Sequence, residues 1–259
     1  MIGLVYLLRR LPNLSLKEFQ RYWDETHGPL VAWHTTSLRI CRYGQNHTIQ
    51  DPLNDSMQKV RGAAQGFYDC VDELWWNNRE DLANALATPE GRRAAQDLVE
   101  DERKFIDFSH SSLCFAIQLP VINPLPENIV ATEKNTLLKF LGVVRRPPNQ
   151  SFEECQLHWR MNHGPLVRRY AATVGIRRYI QLHTIEDPLT DQLRTARGTM
   201  EEPFEGLAQV WWDRVEMAGL QATPEYQRAW GEIQKDERNF VDFSRGPLGF
   251  TKERVFIDK

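Results

Sequence analysis

Trp23-Asp24-Glu25-Thr26-His27-Gly28-Pro29-Leu30-Val31 returns 136 residues later as Trp159-Arg160-Met161-Asn162-His163-Gly164-Pro165-Leu166-Val167. Outward from this stretch the same shift holds without a gap. Arg9-Arg10 falls on Arg145-Arg146, Arg42-Tyr43 on Arg178-Tyr179, Gln45 on Gln181, His47-Thr48-Ile49 on His183-Thr184-Ile185, and Trp75-Trp76 on Trp211-Trp212. One deletion then changes the shift to 135, so that Thr88-Pro89-Glu90 meets Thr223-Pro224-Glu225 and Asp101-Glu102 meets Asp236-Glu237. A period this long is not a solenoid repeat. The chain is two copies of one unit, expected at residues 1–120 and 136–259, with a Pro-rich linker at 121–135 around Pro120, Pro124 and Pro126.

Each copy reads the same way. Ile2 to Leu8 is a continuous apolar run, a strand buried on both faces. Ser15-x-x-Glu18 and Ser151-x-x-Glu154 are capping boxes that open a helix, and Pro29 is expected to break or kink it, or to start a new turn as a first helical residue. Ile40 to Ile49 alternates as a second strand, Val71 to Trp76 is a third, Pro89 starts a long helix to about Phe108, and Ser112 to Leu119 is the fourth strand. The order β-α-β-β-α-β is the ferredoxin-like plan of an α+β fold. A four-stranded sheet with both helices on one face leaves the other face bare, which a soluble monomer avoids. Two such units in one chain are therefore expected to pack as an intrachain pseudo-dimeric α/β barrel, either alone or within a further homodimer.

The composition is that of an ordinary globular chain of 259 residues, 41% hydrophobic and 26% charged, which excludes disorder. A net charge of −3, from 32 basic and 35 acidic residues, gives no electrostatic footprint for nucleic acid or anionic lipid. There is no run of apolar residues long enough for a membrane span. Met1 to Leu8 is too short, and too quickly followed by Arg9-Arg10, for a signal peptide. The four cysteines are scattered without a C-x-x-C, as expected of a reduced cytoplasmic protein.

With W-x-x-x-H-G-P-L followed by R-Y-x-Q-x-H-T, the sequence resembles the EthD family of dimeric α/β-barrel proteins, twice over and across nearly the whole chain. The second copy departs at Cys155 (for Phe19) and His158 (for Tyr22). The resemblance implies a dimeric α/β barrel. It also implies membership of a superfamily of cofactor-independent lyases, isomerases, polyketide cyclases, dehydratases and monooxygenases, some of whose members bind haem. The substrate it implies is a small, mostly apolar organic molecule.

The residues that could carry chemistry are paired. His27 and His163 stand at the Gly-Pro junction, where a histidine can act as acid or base or cap a helix. Alternation puts Tyr43, Gln45 and His47 on one face of the second strand, and Tyr179, Gln181 and His183 on its copy. This polar row is costly in a core unless a partner, water or ligand satisfies it. Read as a site, His47 or His183 is the base, Tyr43 or Tyr179 with Gln45 or Gln181 holds an oxyanion, and His27 or His163 shuttles protons. Read as structure, the row is a hydrogen-bond network. Trp23 and Trp159, and one of each Trp pair, Trp76 and Trp212, are candidate aromatic walls, with ordinary core packing the alternative. Arg61 and Arg197 lie in a long segment between strands two and three; each could clamp a substrate anion or tie that segment to Asp51 or Asp187. Arg42 and Arg178 are expected to pair with acids such as Asp101 or Asp236. The first half keeps Gly44 and Glu73 where the second has Ile180 and Gln209, which favours the first as the active one.

No H-E-x-x-H, Gly-rich phosphate loop or G-x-S-x-G occurs. His158 and His163 lie roughly 140° apart on a regular helix, so they cannot chelate together. A haem would need His27, His47, His163 or His183 as its axial ligand. The expectation is no metal and no cofactor. The function expected is acid/base catalysis on a small hydrophobic or aromatic, polyketide-like carbonyl compound, by dehydration, isomerisation, aldol-type cleavage or cyclisation. The alternatives are cofactor-free oxygenation of a phenol and a non-catalytic carrier for a hydrophobic metabolite.

Overall fold

A computed structural model describes residues 1–63, 66–124 and 129–259; Pro126, placed in the linker by sequence, lies outside the described residues. The first half contains β1 (Ile2–Leu8), α1 (Leu16–Tyr22), α2 (Gly28–Trp33), α3 (Thr35–Leu38), β2 (Arg42–Thr48), α4 (Pro52–Arg61), β3 (Cys70–Trp76), α5 (Arg79–Ala87), α6 (Pro89–Glu102) and β4 (Ser112–Ile122). The second half contains β5 (Leu137–Val144), α7 (Phe152–His158), α8 (Gly164–Tyr170), β6 (Ile176–Ile185), α9 (Pro188–Arg197), β7 (Gly206–Asp213), α10 (Arg214–Leu220), α11 (Pro224–Glu237) and β8 (Leu248–Asp258).

The strands close into one barrel in the order β1-β3-β2-β8-β5-β7-β6-β4, with every pair antiparallel. Two seams, β4 with β6 and β2 with β8, join the halves, and closure leaves no sheet edge open. β4 runs on to Ile122, and Pro120 within it pairs with Ile180 at a bulge. A bulge is where a strand tolerates the missing proline N–H.

Alternation sorts each strand into two cores. Leu4, Tyr6 and Leu8 of β1 join a core under the helices with Phe19, Trp23, Tyr43 and Trp76. Val5 and Leu7 point the other way, into the barrel, with Val71, Trp75, Leu141, Leu182 and Trp211. The barrel interior also buries an ionic cluster. Lys139 Nζ lies 3.0 Å from Glu73 and 3.2 Å from Glu253. Asn46 and Gln209 donate to Glu73 at 2.9 and 2.7 Å, and the Trp211 indole donates to Glu253 at 2.8 Å. With its charges paired in this way the cluster is tolerable in a core. It leaves a space of only about 20 Å³ beside it. Glu73, one ground for favouring the first half, therefore serves the barrel and lies outside both cavities described below.

The helix at the duplicated motif does not stop at Gly28-Pro29. It widens into a π-helical turn at Trp23–His27, where the Gly28 N–H reaches back to the Trp23 carbonyl, and continues as α2. Proline has no N–H to give, and the extra residue in the wide turn lets the chain pass it without breaking. Gly28 is required there: a Cβ would come within 2.3 Å of the Phe256 ring. The second half repeats the turn at Trp159–His163. The helix from Pro89 ends at Glu102, short of Phe108, because the chain turns in to bury Phe105 and Ile106. Among the described residues, no helix is long and apolar enough to cross a membrane.

Candidate functional site

The space for a ligand lies between the sheets and the helices, and the halves differ sharply in it. In the first half a cavity of about 440 Å³ is walled by Leu4, Leu74, Trp76, Leu98 and Phe115. Small-molecule sites are typically ~300–1,000 Å³. The corresponding space in the second half is about 60 Å³. Phe140 and Trp230 occupy the positions of Leu4 and Ala95 there, and pack with Trp212 as an edge-to-face aromatic cluster. The second pocket is thus filled from within by its own side chains.

The first cavity also has a polar end. Tyr6, Asp72, Glu102, Arg197 and His27 line it. Arg197 comes from the other half: it is the last residue of α9, fixed by the left-handed Gly198 (φ 70°) that ends the helix. Its guanidinium grips Glu102 through two bonds of 2.6 and 2.7 Å and lies over the Tyr6 ring at 5.5 Å. The Tyr6 hydroxyl, Asp72 Oδ1 and Arg197 Nη1 are buried without a hydrogen-bond partner among the described residues. Burial, and then the charge of Glu102, push the Tyr6 phenol far above its ordinary pKa. Burial, followed by Glu102, raises the Asp72 pKa well above its ordinary value, which favours the neutral acid. His27 is held by Asp101, Nδ1 to Oδ2 at 2.9 Å, which leaves Nε2 as the nitrogen available to the cavity. Burial works to raise the Asp101 pKa, but hydrogen bonds from His27, Tyr22 and Lys104 outweigh it and hold the group well below the usual range. In the second half Gly142 and Ala208 stand where Tyr6 and Asp72 do.

The sequence-derived candidates divide accordingly. His27, Trp76 and Arg197 are brought together at the first cavity. Arg61, His163, Tyr179, Trp159 and Trp212 border the filled second space. Arg61 crosses over like Arg197 and pairs with Glu237 at 2.7 Å. The tie of Arg61 and Arg197 to Asp51 or Asp187 is therefore corrected. Those aspartates cap the N-termini of α4 and α9, and what read as a long loop is largely these helices. Trp23 is fully buried against Phe19 and His47, away from the cavity lining. Arg42 and Arg178 do not meet Asp101 or Asp236: Arg42 borders the space beside Glu73, and Arg178 lies over the Trp211 ring at 4.7 Å. Asp101 and Asp236 hold histidines instead, Asp236 bonding both His158 and His163, which the π-helical turn brings to one side.

The polar row of the second strand is a bracket for that turn. Gln45 Nε2 donates to the Trp23 carbonyl at 2.9 Å and to the Tyr43 hydroxyl at 2.8 Å, and its oxygen meets His47 Nε2 at 3.0 Å. Gln181 repeats these bonds with Trp159, Tyr179 and His183. His47 and His183 stack on Trp23 and Trp159 at 4.8 and 4.4 Å. His47 borders a surface groove with Gln20 and Asp24, on the far side of Trp23 from the cavity lining. This arrangement offers neither ring as a haem ligand in a cavity. The halves differ at one bond. Tyr179 accepts from the Trp159 indole at 2.9 Å, whereas the Trp23 indole has no partner and Tyr43 lies against Asp72.

Burial lowers His47 to about 3 and His183 to about 4. The unfolded chain takes up a proton on each ring below about pH 6.5, while the folded chain takes them up only near those lower values. Stability should therefore fall as pH drops from 6.5 toward 4, by on the order of 2–3 kcal/mol for His183 and less for the partly exposed His47. Urea midpoints at pH 7 and pH 4 measure this. The double variant His47→Asn/His183→Asn should show a smaller pH difference than the parent; an equal one refutes the assignment.

These features define an α/β barrel of two sheet-and-helix units with ligand space under the helices of one. The chain belongs to the EthD domain family, which matches residues 11–109 and again residues 147–244. Two solved structures agree in fold. An anthrone oxidase-like protein is 13% identical with a TM-score of 0.55, over 98% of this chain and 92% of that one. A candidate monooxygenase from Fusobacterium nucleatum subsp. nucleatum is 6% identical with a TM-score of 0.51, over 98% and 93%. An ethyl tert-butyl ether D (EthD) family protein from Bacillus halodurans C-125 is 18% identical with a TM-score of 0.31, over 46% of this chain and 99% of that one. No curated protein matches the sequence.

Tyr6 and Asp72 were not singled out from the sequence. They sit inside apolar strands, and the available signal was a contrast between the halves, Tyr6 against Gly142 and Asp72 against Ala208.

Proposed function

We propose that the protein is an enzyme that moves a proton next to the carbonyl of a small apolar or aromatic, polyketide-like compound, without a resident cofactor, in its first half. Each half is read as a ferredoxin-like unit, and the chain as an internal dimer in which only one cavity stays open. The observation that carries the reading is that open cavity, apolar along its walls and polar at one end, beside a counterpart filled with aromatic side chains. His27, oriented by Asp101, takes the proton at Nε2. Tyr6 and neutral Asp72 supply O–H donors to the oxygen on which charge develops. Arg197 holds Glu102 out of the way of that charge.

Dehydration, isomerisation, aldol-type cleavage and cyclisation all share this first step. It can be followed as hydrogen exchange at the activated carbon of 2-tetralone in D₂O under nitrogen. The protein should accelerate the exchange, and His27→Gln should lose about 100-fold or more of that acceleration. Exchange at the parent rate in His27→Gln, or no acceleration by the parent, refutes the reading. Oxygen uptake with anthrone as probe would instead favour oxygenation.

A further inference from the structure

We infer that the part of the first cavity lined by Tyr6, Asp72 and Arg197 is built for an uncharged carbonyl oxygen and rejects a carboxylate. This deepens the function proposed above and rests on its placing the ligand in that cavity. Three groups facing the space have a polar atom without a partner among the described residues: the Tyr6 hydroxyl, Asp72 Oδ1 and Arg197 Nη1. Their residues are 2%, 5% and 8% exposed, so bulk water does not satisfy them. Buried polar groups left unpaired are costly, and several converging on one void mark the place of a missing partner.

The chemistry of the three selects that partner. Tyr6 and Arg197 each present a hydrogen to donate, and Asp72 does so as a neutral acid, the form its burial beside Glu102 and Glu73 favours. A ligand oxygen that accepts is the complement to such donors. The charge beside Tyr6 and Asp72 is already balanced, because the buried cation there, Arg197, is committed through two bonds to Glu102. The other arginine lining the cavity, Arg103, is exposed, lies over Phe108 and donates to the Ala196 carbonyl, so the buried group that meets an anion beside Tyr6 and Asp72 is the Glu102 carboxylate, which repels it. A ketone or quinone oxygen gains the hydrogen bonds without a charge penalty, whereas a carboxylate would be buried unpaired. The second half supports the assignment by contrast. There Gly142 and Ala208 remove two of the three donors, although Arg61 and Glu237 keep the ion pair.

Three probes with the same fused rings test this by calorimetric titration at pH 7: 2-tetralone, its hydrocarbon counterpart tetralin, and 1,2,3,4-tetrahydro-2-naphthoate. The ketone should bind about tenfold more tightly than tetralin, as expected for one to two net hydrogen bonds. The carboxylate should bind about a hundredfold more weakly than the ketone. Tyr6→Phe, which keeps the ring and its packing, should abolish the preference of ketone over hydrocarbon. Asp72→Asn, which keeps a donor of similar size, should keep that preference, and Asp72→Leu should reduce it. The inference is overturned if the carboxylate binds as well as the ketone, if ketone and tetralin bind alike, if the ketone does not bind, or if Tyr6→Phe leaves the preference intact. A ketone preference without hydrogen exchange removes the role given to His27 and leaves this inference standing; exchange without the preference does the reverse.

Discussion

Arg197→Met is expected to lower the stability of the protein by about 3–5 kcal/mol, the cost of leaving a buried charge without its partner, and to weaken 2-tetralone binding toward that of tetralin. Both members of the Arg197–Glu102 pair are almost wholly enclosed, with 6% and 7% of their side chains exposed. Without the guanidinium, Glu102 faces the carboxyl of Asp72 and the phenol of Tyr6 with nothing to neutralise it. The double variant Arg197→Met/Glu102→Gln should recover much of the stability, because it removes both charges, while the preference for ketone over tetralin stays reduced without the Nη1 donor. Arg61→Met breaks the equivalent pair in the second half. It should cost less, since Glu237 keeps 14% of its side chain exposed, and it should leave binding in the first cavity unchanged. Urea denaturation and calorimetric titration read the two effects separately. Loss of binding in Arg61→Met with retention in Arg197→Met would reverse the roles of the halves.

The second large effect comes from exchanging the contents of the two cavities. Leu4→Phe/Ala95→Trp writes the second half's packing into the first, and should eliminate ligand binding while the barrel still folds, since Phe140 and Trp230 are accommodated in the equivalent positions. The reverse change, Phe140→Leu/Trp230→Ala, removes part of an aromatic cluster. Its cost should be dominated by the tryptophan, at about 3–5 kcal/mol. The cavity it opens should still not prefer a ketone, because Gly142 and Ala208 offer no donor where Tyr6 and Asp72 stand. Calorimetry with 2-tetralone and tetralin decides it. Ketone-selective binding in the reopened second half would mean that volume alone makes the site.

The duplication made the architecture legible. Two copies of one strand-and-helix order, each with a sheet face to cover, lead to a closed barrel, and the shift of 136 aligns the elements that build it. What sequence could not separate was retention for structure from retention for chemistry. Tyr43, Gln45 and His47 are kept in both halves, and their bonds run to the carbonyl of Trp23 in the π-helical turn that both halves share. A device needed twice is preserved twice. Tyr6 and Asp72 of the open cavity differ between the copies instead, the second half carrying Gly142 and Ala208 in their places. Tyr6 and Asp72 were hidden further by their surroundings, since one polar residue in a run such as Ile2–Leu8 does not disturb its reading as a buried strand. The crossing of Arg61 and Arg197 was out of reach for another reason: it depends on the barrel seams, which bring α4 and α9 beside the opposite half.

The most direct test of the account is a crystal structure of the protein with 2-tetralone. It should show the rings between Leu74, Trp76 and Leu98 under the first-half helices, and the ketone oxygen within hydrogen-bonding distance of Tyr6 and Asp72. Ligand seated in the second half, inside the barrel beside Lys139, or in the groove at His47 would contradict it.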